Sequence, residues 1–388
     1  MDKYPHIMFK KHWSLSEESI YRMGQSECIV QSIASMPLMP ETRKKLLIVS
    51  LKKGARATTA IEGNTLSEED IDKIAAGEKL SPSKEYLQIE VKNIIDALNK
   101  IRAEVIQDGK SAIINPELIE NFNKLVGQNL GEHFQSIPGK FRSSGHNVVV
   151  GQYRPPFGED VLDLVITFCD WIRHEFKYED GDQLFRDQII QAIVVHIYLA
   201  MIHPFGDGNG RTARLLEFYI LLRAGLPDIA SHILSNHYNN TRNDYYRYLD
   251  LCVKSMDLSK FIDYAVLGFR DGLNEVLEEV QKSALEMSWQ KYIYEKLDSK
   301  QATGKTRTIV KRRRTLALAF PVDKWVLVDD LINEKGFLAK EYLSKKNNVT
   351  RTRDVSELEN LGLIIRDGKK YKGNIDIMKG YMAMRKSK

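Results

Sequence analysis

Two apolar runs with helical spacing, QAIVVHIYLAMI (191–202) and TARLLEFYILLRAG (212–225), flank a stretch in which Gly206, Gly208 and Gly210 fall at every second position. Glycine at that density does not continue a helix, so the chain has to stop, turn and restart within HPFGDGNGRTAR (203–214). A glycine loop joining two helices is therefore the fixed point of the fold. Its glycines let successive backbone N–H groups converge, and the second helix begins with its positive dipole end at the same place, which makes an anion cradle.

The other residues of the stretch suit that cradle. Arg211 and Arg214, three apart in the first turn of the second helix, share a face and can hold two phosphates of a polyphosphate. Asp207 is a hard oxygen ligand of the kind that holds Mg²⁺ with the help of substrate phosphates. His203, at the end of the first helix, supplies a base with an unperturbed pKa near ~6.5. Base, carboxylate, anion nest and paired arginines together describe phosphoryl or nucleotidyl transfer.

The 388 residues are enough for two or three domains. With 43% hydrophobic and 28% charged residues the chain reads as globular, neither disordered nor fibrous. No stretch approaches the roughly 20 apolar residues of a membrane span, and MDKYPHIMFKKHWSLSEE lacks the pattern of a secretory signal. The cytoplasm is the expected location, without a membrane partner. Cys28, Cys169 and Cys252 are far apart, odd in number and free of CxxC spacing, so they read as buried thiols rather than disulfides or a zinc site.

Apolar periodicity makes most of the first 300 residues helical, as in SKEYLQIEVKNIIDALNKI (83–101) and DVLDLVITFCDWIRHEF (160–176). The strongest break, GKFRSSGHNVVVGQYRPPFGED (139–160), predicts a small β-hairpin around Val148, Val149 and Val150. Ser259 to Asp298 reads as a long helix, and QATGKTRTIVKRRR (301–314) as a basic linker. Beyond it, a helix at 322–336 and two helices joined by a turn at Asn347–Val349, the second capped by Thr350 and stopped by Gly362, precede two strands across an Asp367-Gly368 turn. That is the order of a winged helix-turn-helix. Residues 301–388 hold 21 Lys+Arg against 10 Asp+Glu, a net +11, while residues 1–300 carry −6. The tail thus expects an anionic partner, either duplex DNA through Arg351, Arg353, Lys369, Lys370 and Lys372, or a protein or second copy docked on the same module. The expected fold is mainly α, in three parts: an N-terminal helical region (1–105), a helical core with a hairpin (106–300) and a basic winged-helix domain (301–388).

His203 to Arg214 fits the Fic-domain signature HPFx[DE]GNGRxxR without a mismatch, and the resemblance extends from about Thr58 to Asp250. It implies an enzyme that moves AMP from ATP to a hydroxyl side chain of a target protein, or of the enzyme itself. It implies that His203 deprotonates the hydroxyl, that Asp207 binds Mg²⁺, and that Gly208, Asn209, Gly210 and Arg211 contact phosphates. Arg214 would take the γ-phosphate. The hairpin looks like the Fic flap, which clamps a target segment through its backbone; a purely structural hairpin is the alternative. NDYYRYL (243–249) matches a position where family members place tyrosines against adenine, so Tyr245 and Tyr246 are either stacking residues or core residues. His196 reads as core.

ARATTAIEGN (55–64) fits the inhibitory pattern [S/T]xxxE[G/N] of many Fic proteins through Thr58, Glu62 and Gly63. The resemblance implies that Glu62 pairs with Arg214 and occupies the place of the γ-phosphate. In some relatives the same glutamate helps water remove AMP, so addition and removal both stay open, as does a DNA-binding regulator whose Fic domain senses nucleotide.

Overall fold

The computed structural model describes residues 3–107, 113–176, 184–298, 305–333, 336–343 and 348–379. The chain divides into two compact units, Met1–Glu278 and Glu279–Lys388. The first is built from α1 (Glu17–Ser35), α2 (Pro40–Ile61), α3 (Glu68–Ala75), α4 (Glu85–Arg102), α5 (Pro116–Gly127), α6 (Val161–Phe176), α7 (Phe185–Ile202), α8 (Asn209–Arg223), α9 (Ile233–Asn240), α10 (Arg242–Ser255) and the first part of α11 (Ser259–Leu297).

The glycine loop joins α7 and α8, and both helices are buried along nearly their whole length. Helices apolar on every face belong in the middle of a fold. Around them α6 packs on α7, α4 and α5 pack on α8, and α2 packs on α4, α8 and α9, so residues 1–105 share one unit with the helices α5 to α10. Helix α7 is, contrary to the sequence reading, apolar and long enough at 18 residues to cross a membrane, yet 72% of it is buried inside the protein. Helix α2 ends in a Schellman turn: Gly63 takes φ +99°, its N–H donates to the Ala60 carbonyl, and the Asn64 N–H reaches back to Thr59 (3.1 Å). This turn sets where Glu62 points.

Residues 3–14 form a strap over this unit. Phe9, at φ +42°, stacks on Tyr198 with ring centroids 5.5 Å apart, and the Ser14 N–H donates to Ser259 Oγ. At the other end the Tyr4 hydroxyl donates to Asp160 and accepts from the Phe157 N–H (2.9 Å), while His6 Nε2 lies 2.8 Å from the Tyr153 hydroxyl. The expected hairpin is smaller than the sequence suggested. Val150 and Tyr153 exchange both backbone hydrogen bonds at 2.9 Å, and no further ladder forms. Val148 and Val149 have no strand opposite them, because Gly151 at φ +59° turns the chain straight into Tyr153 and the Arg154-Pro155-Pro156 segment. Cys169 and Cys252 are buried, but Cys28 is exposed, since it lies off the Met23, Ser26 and Ile33 face by which α1 packs.

The second unit holds the rest of α11, then α12 (Lys305–Ala319), β1 (Val326–Leu327), α13 (Val328–Asn333), α14 (Phe337–Leu343), α15 (Asn348–Asn360), β2 (Ile364–Asp367), β3 (Lys370–Gly373) and α16 (Asp376–Lys379). The strands form an antiparallel sheet in the order β1-β3-β2, with Asp367 opposite Lys370 across a two-residue turn at Gly368 and Lys369. Three expectations change here. Residues 305–314 are helix rather than linker: Arg312 and Arg313 of α12 both pair with the fully buried Asp354 of α15, so the charges face inward. Part of the helix expected at 322–336 is β1, because Val326 and Leu327 pair with Tyr371 and Lys370. Thr350 lies inside α15 rather than capping it, and Asn347 is outside the described residues. Gly362 does end α15, at φ +69°.

The strap generates a prediction. Tyr4→Phe removes two hydrogen bonds that hold the segment from Phe157 to Asp160. It should lower stability by about 1–3 kcal/mol and speed amide exchange across residues 146–160. Unchanged exchange there by mass spectrometry would show that the strap does not restrain the segment.

Candidate functional site

His203 caps α7 in the left-handed conformation (φ 51°, ψ 59°), and this turns its side chain out of the helix. Such a conformation costs about 1 kcal/mol outside glycine. Arg142 offsets it. The guanidinium of this buried arginine donates to the carbonyls of His203 (2.8 Å), Ile202, His146 and Pro156, and its own N–H donates to Pro204 (2.8 Å). One side chain therefore satisfies the carbonyls at the end of α7 and ties them to the base of the hairpin. His203 Nδ1 faces the Ala200 carbonyl at 3.4 Å, which leaves Nε2 as the basic nitrogen. Desolvation, only partly countered by Ala200, pushes its pKa down to about 4.

The loop is laced by its own side chains. Asn209 accepts from the Phe205 N–H and donates to the Phe205 carbonyl, both at 2.8 Å, so its amide shapes the loop and only its backbone N–H remains for an anion. Asp207 accepts from the N–H groups of Gly208 and Gln135 and from Arg211 (2.9 Å). Gly208, at φ +76°, lies against Asn123 and Phe134, which a side chain would strike. Among the described residues no group of three His, Cys, Asp or Glu could hold a metal ion. A single carboxylate fits Mg²⁺ only where phosphate oxygens complete the shell.

Arg211 and Arg214 of α8 are both buried and held by carboxylates. Arg211 donates to Glu90 of α4 as well as to Asp207. Arg214 Nη2 donates to Glu62 (2.5 Å) and to the Thr58 carbonyl (3.0 Å), while its Nε and Nη1 have no hydrogen-bond partner among the described residues. Desolvation alone would raise the Glu62 carboxyl, but the charge and hydrogen bond of Arg214, with Arg211 and His203 adding, outweigh it and hold the group below its usual range.

A cavity of about 500 Å³ brings His203, Glu62 and Gly210 together with Val150, Gly151, Gln152 and Tyr153 of the hairpin and with Tyr245, Tyr246, Leu249, Asp250 and Val253 of α10. Val149 is exposed and Val148 half-buried, and neither lines the cavity. The two tyrosines differ. Tyr245 is buried, with its hydroxyl 2.9 Å from Nε2 of the fully buried His196. Tyr246 presents an exposed ring and donates to the Ile61 carbonyl (3.3 Å), next to Glu62.

The family model described as Fic/DOC matches residues 113–221. Those residues match a Fic domain. Over 195 residues it is 33% identical to the protein adenylyltransferase Fic of Nematostella vectensis, which spans 50% of this chain and 41% of that protein. Over 268 residues it is 27% identical to protein adenylyltransferase fic-1 of Caenorhabditis elegans, covering 63% and 49%. The chain thus spans about two-fifths to half the length of the curated relatives it matches. A crystal structure of a Fic family protein from Desulfovibrio desulfuricans G20 aligns with 94% of this chain and 98% of its own at a TM-score of 0.57 and 18% identity. Fic-1 from C. elegans aligns over 68% and 73% at a TM-score of 0.54 and 20% identity. At these identities the structural likeness is one of fold.

Around the Fic motif, sequence reasoning missed Arg142, Glu90 and Asn64. Glu90 did carry a signal, because it sits between Leu87, Val91 and Ile94 on the buried stripe of α4. Arg142 carried none, being one arginine in a Gly/Ser-rich segment. Since burial disfavours the imidazolium, His203 is neutral at pH 7 and gains its proton only on acidification to about pH 4. Its Cε1–H resonance should stay flat from pH 8 to about pH 5. A midpoint near 6.5 would contradict the buried, basic-Nε2 arrangement.

Proposed function

We propose that this chain is a protein adenylyltransferase held in an inhibited state by Glu62. The reading rests on one observation: a single cavity joins a neutral histidine to the N-terminus of α8, where Glu62 is seated on Arg214. A hydroxyl of a target segment laid along Val150 to Tyr153 would meet His203 Nε2. The hydroxyl oxygen attacks the α-phosphorus of ATP, its proton passes to Nε2, and pyrophosphate leaves from the side of Arg211 and Arg214. The backbone N–H groups of Asn209 and Gly210 would meet the phosphate oxygens, with Gly208, whose N–H is held by Asp207, supplying the turn that precedes them; Tyr246 offers the adenine an open ring face, with Tyr245 beneath. A Mg²⁺ ion shared between Asp207 and the phosphates would supply charge neutralisation. Glu62 blocks the reaction because its carboxylate takes the donor of Arg214 that the terminal phosphate needs. The names of the adenylyltransferase relatives support this choice of chemistry.

The test is transfer of label from ATP carrying it at the α-phosphate, with Mg²⁺ and a cell lysate as the target source. Glu62→Gly should label at least ~10-fold more than wild type, and adding His203→Ala should reduce that signal by ~100-fold or more. A wild-type protein that instead strips label from AMP-modified targets, with no labelling by any variant, would reverse the direction of the reaction.

The second unit supports a second reading, of a winged helix-turn-helix that docks nucleic acid. The observation in its favour is the sheet β1-β3-β2 beside α13, α14 and α15, with Lys369 and Lys370 exposed beside the tip of the strand pair. Arg351 is less available than the sequence implied, being paired with Asp329. Duplex binding should weaken steeply between 50 and 200 mM salt. The absence of binding at low salt would leave a protein partner as the occupant.

A further inference from the structure

Arg211 and Arg214 lie one turn apart on α8, and each is held by a carboxylate from a different preceding helix: Arg211 by Glu90 of α4 and Arg214 by Glu62 at the end of α2. The two carboxylates are linked. The Asn64 amide, two residues beyond Glu62 in the Schellman turn, donates to Glu90 Oε2 and to the Leu87 carbonyl, both at 3.0 Å, and its Oδ1 accepts from the Leu66 N–H. The contacts close into a ring that runs from Arg214 to Glu62, through the turn to Asn64, on to Glu90 and back to Arg211. Every member except Glu62 has a side chain or residue largely withdrawn from water.

Arg211 has five donors in a fixed fork. One goes to Glu90 and one to Asp207, and its Nε is buried without a hydrogen-bond partner among the described residues. Of its two carboxylate partners, Asp207 belongs to the loop itself, while Glu90 comes from another helix and is the one tied to the Glu62 turn. The carboxylates Glu62, Glu90 and Asp207 outnumber the two arginines, so a polyanion that reaches both meets negative charge at both.

We propose that Glu90 is a second inhibitory carboxylate of the same brake and that Asn64 couples it to Glu62, so that the two arginines are released together. This rests on the reading of Glu62 as a brake. Any movement that opens the Glu62 turn strains the Asn64 contact and loosens Glu90 from Arg211; any loss of Glu90 leaves the turn less firmly held.

The experiment is calorimetric titration of the full chain with MgATP, which needs no transfer reaction. The proteins are wild type, Glu62→Gly, Glu90→Gln, Asn64→Ala and the double variant Glu62→Gly with Asn64→Ala. Glu90→Gln keeps the size and an acceptor oxygen, so its fold should survive; thermal unfolding checks it. Glu90→Gln and Asn64→Ala should each bind about 10-fold tighter than wild type, the scale of one charge-assisted contact. Asn64→Ala should add less in the Glu62→Gly background than alone. Tighter binding by Glu62→Gly with unchanged or weaker binding by Glu90→Gln overturns this proposal and leaves the Glu62 brake standing. Additive effects of Glu62→Gly and Asn64→Ala overturn the coupling. If Glu62→Gly binds no tighter but Glu90→Gln does, Glu90 is the brake and the reading of Glu62 fails.

Discussion

Helix α7 ends inside the protein, and everything at the site depends on how that ending is satisfied. The last carbonyls of this largely buried helix need partners, and the residue that closes it, His203, sits in a conformation that side chains disfavour. Arg142 resolves both problems by directing its guanidinium at backbone carbonyls of the helix end and of the hairpin base. The base, the loop and the hairpin thus share one reference point. Precise geometry of the kind reactive groups need is here held by a side chain whose guanidinium donates to backbone carbonyls.

Electrostatically the site is crowded with opposite charges before any ligand enters. Two buried guanidinium groups would be costly if unpaired. The carboxylates of Glu62, Glu90 and Asp207 stabilise them. The same contacts that make the arginines tolerable in the fold stand in the way of a polyphosphate. On the proposed reading, inhibition is the ordinary resting chemistry of a buried cation pair. A ligand has to replace the partners with something better matched, and phosphate with a divalent cation is such a match.

Much of this was legible in the sequence, and the boundary of legibility has physical reasons. The helix, glycine loop and helix around Gly206 to Gly210 follow from local propensity alone, and so does the Schellman stop at Gly63. The residues of the Fic motif converge because they are close in the chain. Glu90, Asn64 and Arg142 are far from that motif in sequence, and their roles come from packing that no local pattern encodes. The basic run at 305–314 misled for the opposite reason. Charge normally marks a solvated segment, but Asp354 lies buried forty residues on and turns Arg312 and Arg313 inward. The valines of the hairpin suggested a longer strand because β-propensity records what a residue accepts, not whether a partner strand is there.

Gly210 reaches furthest beyond its own position. A Cβ there would run into the Glu62 carboxylate and press on both terminal nitrogens of Arg214. The bare backbone thus leaves room for the carboxylate and, on the proposed reading, for the phosphate that would replace it. A side chain at 210 would crowd Glu62 and Arg214 alike, and so any group that Arg214 holds there. If Glu62 is the brake, mutational routes to an unregulated protein are closed on the side of the glycine loop and open on the side of the helix that carries Glu62.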